Sequence, residues 1–331
     1  MSRRKGFMRS DAIMLQLGVL LLVGLIMPAI QIVREAALRT NSVNNMRQIV
    51  LAMYNYNDVN DELPLLTDPP QTGVSGTGRC SVFFQLLPYL EQDAVFRVFD
   101  EDEPTSYEMP GNLNQNKPPA RQLIKIFVSP ADPTAPTGTT TKISDRDLKP
   151  PIKDAEYATT SYAVNGMIFG LPWAQFPRTF QDGTSNTIVL AERYQVCSDG
   201  KKSVYNLWAW ASISPEMPSF AYRPREKGKA TGQFGPNSPV PDSGEVLGET
   251  KAGEEGELAY SKLEVKGGQS GFQVAPAKNE CDPRVPQTPH KGGMLVALGD
   301  GSVKTISPLI SLNTFYAAVT PAGGETLGPD W

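Results

Sequence analysis

Arg3-Arg4-Lys5-Gly6-Phe7, followed closely by Ala12-Ile13-Met14-Leu15-Gln16-Leu17-Gly18-Val19-Leu20-Leu21-Leu22-Val23-Gly24-Leu25-Ile26-Met27-Pro28-Ala29-Ile30-Gln31-Ile32-Val33, is the stretch that decides the fold. The 22 residues from Ala12 to Val33 carry no charge. At the rise of an α-helix they span about 33 Å, enough for the hydrocarbon core of a bilayer. A buried helix of a soluble domain is the alternative, but such helices seldom run this long without a charge. The basic residues ahead of the span predict a cytoplasmic N-terminus and an exported remainder. The apolar run is too long for a secretory signal peptide, and Met27-Pro28-Ala29-Ile30-Gln31 is a poor cleavage site, so the segment is expected to stay attached.

The helical pattern continues past residue 33. Val33, Ala37, Met46, Ile49, Val50, Met53 and Tyr54 recur mostly in steps of three and four, with a break near Thr40-Asn41-Ser42. One helix is therefore predicted from about Asp11 to about Asp58, half in lipid and half lying on a folded head. Pro28 inside it removes a backbone hydrogen bond, so a kink is expected there.

This N-terminus resembles a type IV prepilin. The resemblance makes residues 1–6 a leader ending at Gly6, with cleavage and N-methylation at Phe7. Residues 7–58 become the long helix, transmembrane over about 12–33, and residues 59–331 an exported head. Asp11 takes the acidic position that pairs with the N-terminal amine of a neighbouring subunit, and an intramembrane carboxylate does need such a partner. Asp11 stands where Glu is usual, and Arg9 adds a charge. An uncleaved single-pass anchor is the other reading of these residues.

Of the 331 residues, 31 are basic and 35 acidic, for a net charge of -4, and no basic block lies outside the leader. Nucleic acid is thus not an expected partner. Gly and Pro number 29 each, which favours short strands and many loops over a helical bundle. Cys80, Cys197 and Cys281 allow at most one intramolecular disulfide, their spacing matches no zinc site, and three separate buried thiols are an equal alternative.

Beyond the helix, residues 66–79 read as a loop, whose glycines lack the Lys-Ser or Lys-Thr of a phosphate loop. Ser81 to Phe99 reads as two short helical pieces, with Pro88 opening the second. Strands are expected near 123–128, 160–165 (ending in an Asn-Gly turn), 188–192, 204–212, 294–298 and 302–306. Gly299-Asp300-Gly301 makes a hairpin of the last two. A short helix follows over about 311–319. Residues 214–288 are rich in Pro, Gly, Ser, Glu and Lys and read as a loop-rich surface excursion. The expected fold is α+β and pilin-like, with the long N-terminal helix across an antiparallel sheet.

Together these segments resemble the bacterial family called domain of unknown function 1559. The residues that carry the resemblance are Asn44-Asn45-Met46-Arg47-Gln48-Ile49, Pro88-Tyr89-Leu90-Glu91-Gln92, Pro130-Ala131-Asp132-Pro133, Asp182 to Thr187, and His290 with Asp300-Gly301. The corner of family members usually has Cys before the first Pro, where this chain has Ser129. The resemblance implies a pseudopilin-like architecture and no established activity.

His290 is the only histidine, which excludes a multi-histidine metal site and an HExxH protease. No G-x-S-x-G elbow presents a nucleophile. His290 and Asp300 are expected at opposite ends of one strand, too far apart to bond, with Asp300 fixing the turn and His290 the strand entrance. Asp182, Thr184, Ser185 and Asn186 offer oxygen ligands for a hard cation, yet they lack the spaced carboxylates of a calcium loop and read more simply as a capped turn. No catalytic residue, metal or cofactor is assigned.

The leading expectation is thus a non-enzymatic, pilin-like or pseudopilin-like subunit of a type IV pilus or type II secretion-like assembly. It would sit in the bacterial inner membrane with its head outside the cytoplasm. Its partners would be the lipid bilayer, a prepilin peptidase and other pilin-like subunits. The alternative is a membrane-anchored module that binds a glycan or cell-surface ligand, with Trp173, Trp208 and Trp210 as an apolar platform. A hydrolase built on His290 is the third reading.

Overall fold

The computed structural model describes residues 9–68, 80–97, 122–134, 141–142, 156–171, 173–198, 203–210, 217–221, 271–283 and 285–331. A single helix, α1 (Arg9–Asn60), runs through 52 residues with Pro28 inside it. Its two halves differ. From Ser42 onward, Ser42, Met46, Ile49, Val50 and Met53 are fully buried. Their spacing puts them on one face, and burying each large apolar side chain contributes about 1.5–3 kcal/mol. Upstream, residues 26–37 are exposed throughout, apolar ones included. Several side chains between residues 11 and 25 lie outside the described residues. Among the described residues, no helix is long and apolar enough to cross a membrane.

α1 packs on a five-stranded sheet made of β1 (Tyr162–Asn165), β2 (Ile188–Glu192), β3 (Ser219–Phe220), β4 (Met294–Leu298) and β5 (Val303–Ile306). The strand order is β5-β4-β2-β1-β3. Three of the pairings are antiparallel, but β3 runs parallel to β1, so the sheet is mixed rather than wholly antiparallel. Period-two alternation divides the strands between two cores. Val164, Leu190, Leu295 and Ala297 face the core that includes Met46, Ile49 and Met53 of α1. Ala163, Ala191, Val296 and Leu298 face a second core with Phe315 and Val319 of the helix α2 (Leu312–Val319). The head is therefore a sheet between two helical layers. Ser311 caps α2 by accepting from the Thr314 amide.

Four expectations need correction. Residues 125–127 form a 3-10 turn, not a strand. The Phe127 carbonyl accepts from the Ser161 amide and the Thr160 hydroxyl, which takes the backbone out of any ladder. Of the strand expected over 204–212, the described residues up to 210 form only Ser203–Tyr205, paired with Val196–Ser198, because Leu207 makes a lone bridge to Thr159 and the chain then turns; 211–212 lie outside the described residues. The Asn-Gly turn expected at Asn165-Gly166 is instead a helix start. Asn165 caps the helix Gly166–Phe169, its side chain accepting from the Met167 amide.

The fourth concerns 214–288. Residues 222–270 lie outside the described residues, but both ends of the segment are core. Met217, Phe220, Phe272 and Val285 are buried, and Ser219–Phe220 supplies the edge strand β3. The apolar residues at those described ends are what seats them in the core. A disulfide joins Cys197 to Cys281 and fixes the returning end to the head.

Candidate functional site

Two clusters lie at opposite ends of β4. At its C-terminal end, Gly299-Asp300-Gly301 turns the chain into β5. The Asp300 carboxylate accepts from the Ser302 amide at 2.8 Å, and Gly301 takes a φ of +82°, which suits glycine. This tip meets the turn that leads into β2. The Asp300 amide donates to the Thr184 carbonyl at 3.1 Å, and the Gly299 amide donates to the Thr187 carbonyl at 2.9 Å.

Within that turn, Asn186 Nδ2 donates to the Asp182 carbonyl and Thr187 Oγ1 to the Gly183 carbonyl. Ser185 is exposed. The two Asp182 carboxylate oxygens accept from the amides of Gly323 and Gly324, at 2.8 and 3.0 Å. The side chain thereby holds down the chain that follows α2. Tyr54 of α1 donates its hydroxyl to the Gly299 carbonyl, and its ring stacks on Phe176, which in turn stacks on Phe180. Asp182, Thr184, Asn186, Asp300 and Gly301 thus form one clamp joining α1, the hairpin and the C-terminal segment. Its hydrogen bonds go to backbone groups, which is the chemistry of a capped turn.

At the other end of β4, His290 meets Glu192 at the end of β2. His290 Nε2 lies 3.3 Å from Glu192 Oε1, with the two side chains 3% and 1% exposed. Glu192 Oε2 accepts from the Thr288 hydroxyl at 2.6 Å and from the Leu295 amide at 3.1 Å. The His290 amide donates to Thr288 Oγ1 at 3.2 Å. The Nε2 to Oε1 contact falls outside hydrogen-bond geometry, and neither atom has another partner. Gly293 closes the turn, donating its amide to the His290 carbonyl at a φ of +125°.

A third polar group lies beside them. Asp132 Oδ1 accepts from the Thr134 amide and hydroxyl, and Oδ2 from the Ser161 hydroxyl and the Gln195 amide. Burial pushes the Asp132 carboxyl up, and those four hydrogen bonds pull it partly back. Burial, reinforced by the charges of Asp132 and Glu192, raises the Tyr194 hydroxyl above its ordinary range. The Tyr162 hydroxyl is also raised, chiefly by burial, with Asn45 opposing. The Arg193 guanidinium donates to the carbonyls of Met217, Ser219 and Pro283, gripping both ends of the 214–288 segment.

Gly6 and Phe7 lie outside the described residues. Asp11 is helical in its backbone, and its side chain is likewise outside them. Pro28 sits within α1. Trp208 and Trp210 are core side chains, so the expected tryptophan platform does not exist, and only Trp173, 63% exposed, remains at the surface. Among the described residues, no group of three or more His, Cys, Asp or Glu side chains gathers as a metal site. Glu192 and Arg193 were not singled out from the sequence, and Asp132 entered only as part of the Pro130-Ala131-Asp132-Pro133 corner. The available signal was a charged pair, Glu192-Arg193, closing the apolar run Ile188 to Ala191.

A family model described as protein of unknown function (DUF1559) matches residues 31–312. No curated protein and no solved structure matches the chain.

Proposed function

The chain belongs to the DUF1559 family of proteins of unknown function, and from that premise we propose that it is a membrane-inserted, pilin-like or pseudopilin-like structural subunit. The N-terminal half of α1 enters the bilayer, the head stands on the extracytoplasmic side, and other pilin-like subunits are its partners. The observation that carries this reading is the projecting half of α1. Leu20 is 69%, Ile32 70% and Val33 68% exposed on a helix whose second half is firmly seated in the head. Apolar side chains in a row without cover mark a surface that lipid or protein must occupy. The Cys197–Cys281 disulfide agrees with an oxidising compartment for the head. Residues Gly6 and Phe7 would be the site of leader cleavage and N-methylation, and Asp11 the assembly residue.

Full-length protein should remain in the membrane pellet after alkaline carbonate extraction. Mass spectrometry of its mature N-terminus should find methylated Phe7. Recovery from the soluble fraction with intact Met1 would overturn the proposal.

The second reading, a tethered binding module, has one observation in its favour, the exposed Trp173. A glycan array probed with the detergent-solubilised chain and with Trp173→Ala separates the two. Binding lost in the variant supports a ligand site, and no binding removes it.

A further inference from the structure

Two contacts fix how the β4–β5 hairpin lies along α1. Tyr54 donates its hydroxyl to the Gly299 carbonyl at the hairpin tip. Nearer the start of the helix, Arg39 donates to Thr305 Oγ1 of β5, and its Nη1 lies 3.7 Å from where a Cβ on Gly292 would stand. Arg39 to Tyr54 is about 22 Å of helix, and Gly292 to Gly299 is about 23 Å of strand. The two lengths agree. The hairpin therefore runs alongside α1 with its tip toward Asn60 and its open end toward the exposed apolar residues Ile30, Ile32 and Val33.

β5 leaves the sheet at that open end, and a tight turn follows. The Leu309 amide donates to Ser307 Oγ and the Ile310 amide to the Ser307 carbonyl, both at 3.1 Å. Pro308 holds the position that presets such a turn. Ile310 is buried and seats the turn, while Leu309 beside it is 89% exposed, the highest of the large apolar side chains among the described residues. A lone exposed leucine needs no explanation, but this one has company. Trp331 stands at the same end, half-buried, with Lys304 Nζ 4.0 Å from its ring centroid and its neighbour Asp330 bonded to the Ser311 amide. The segments that meet here, 34–39, 290–294, 303–311 and 327–331, carry Arg34, Arg39, Lys291 and Lys304 against Glu35 and Asp330.

Val33, the end of the uncharged run, is about 9 Å of helix from Arg39. Four residues of chain from Thr305 reach about 13 Å, so Leu309 comes within reach of that level. Two apolar side chains are too few for the core of a protein interface. A lipid leaflet takes them singly: tryptophan rings settle among headgroups, and lysines extend to phosphates with their stems on apolar surface.

We infer that this end of the head is a membrane-contact face, in which Leu309 and Trp331 enter the headgroup region of the leaflet that α1 leaves, and Arg34, Lys291 and Lys304 meet its lipid phosphates. This rests on the membrane-inserted reading above and gives the head an orientation, with the Asp300 tip farthest from the bilayer.

The test uses the full chain with Cys80→Ser, so that one added cysteine is the only free thiol, in vesicles of phosphatidylcholine and phosphatidylglycerol. A fluorophore is attached through Asn313→Cys near the turn, Ser302→Cys on the far tip, or Ile30→Cys in α1, three exposed positions. Lipids carrying a nitroxide on the headgroup should quench the labels at positions 30 and 313 and not the label at 302. The quenching at 313 should be lost with Leu309→Asp. Quenching at 30 with none at 313, or quenching at 313 that Leu309→Asp leaves unchanged, overturns the contact face and leaves the membrane-inserted reading standing. Quenching at all three positions overturns the orientation. No quenching at 30 overturns both readings.

Discussion

Glu192 Oε1 lies 3.3 Å from His290 Nε2 in the interior, so the single histidine of this chain faces a buried carboxylate from the neighbouring strand. The other oxygen, Oε2, is bonded by the Leu295 amide and the Thr288 hydroxyl, which ties β2, β4 and the 288–293 turn into one unit.

His290→Ala removes a buried ring and leaves a cavity beside Oε1, and should cost about 3 kcal/mol in urea denaturation. Glu192→Gln keeps an acceptor for Leu295 and Thr288 and turns its amide toward His290, so its cost should be nearer 1 kcal/mol. A His290→Ala chain as stable as the parent would mean that the contact has no structural weight.

A hydroxyl pair joins the helix to the corner before Pro130. Ser42 Oγ and Ser129 Oγ are 2.7 Å apart and fully buried, while Asn45 Nδ2 donates to the Val128 carbonyl beside them. Atoms that close at the γ position need only a small shift to reach disulfide bonding distance. Ser42→Cys/Ser129→Cys should oxidise spontaneously, seen as the mass lost with two hydrogens, and should stabilise the head by about 2–4 kcal/mol. Free thiols persisting in the folded double variant would contradict this geometry.

Much of this architecture was legible in the sequence, for identifiable reasons. α1 could be read because Met46, Ile49, Val50 and Met53 repeat at helical spacing. The β4–β5 hairpin could be read because Gly299-Asp300-Gly301 separates two apolar runs. Leu123 to Val128 misled because its apolar residues suit a strand, while the Phe127 carbonyl is claimed by Thr160 and Ser161, far along the chain. The partner of His290 was invisible because strand register, not spacing, brings Glu192 to it. The ends of the 214–288 segment were hidden by its average composition, since Met217, Phe220, Phe272 and Val285 are buried there.

Asp132 shows how a buried acid differs from its amide. Each carboxylate oxygen faces a fixed backbone donor, the Thr134 amide at 2.8 Å and the Gln195 amide at 3.0 Å. In Asp132→Asn, whichever way the side chain turns, its NH2 group opposes one of those N–H groups. The substitution should cost about 2–3 kcal/mol, read as a lower denaturation midpoint with an unchanged slope. Asp132→Asn at parental stability would show that one of the two amides bonds elsewhere.

Asp330 ties the C-terminal segment to the start of α2. Its Oδ1 accepts from Thr314 Oγ1 at 2.5 Å and its Oδ2 from the Ser311 amide at 2.6 Å, and these bonds, Thr314 first, hold the carboxyl down to about 2. An unfolded aspartate titrates near 3.9. A carboxyl with a depressed folded pKa contributes stability in full above the unfolded value and loses it as pH falls through the folded one. The attachment of the C-terminal segment to α2 should therefore hold at pH 5 and weaken progressively from about pH 4 to about pH 2. Protection of the Ser311 amide, its exchange measured by mass spectrometry against the intrinsic rate at each pH, should fall across that window. Asp330→Asn should exchange faster at pH 5 and lose the acid step. An acid step that survives in Asp330→Asn would assign it to another group.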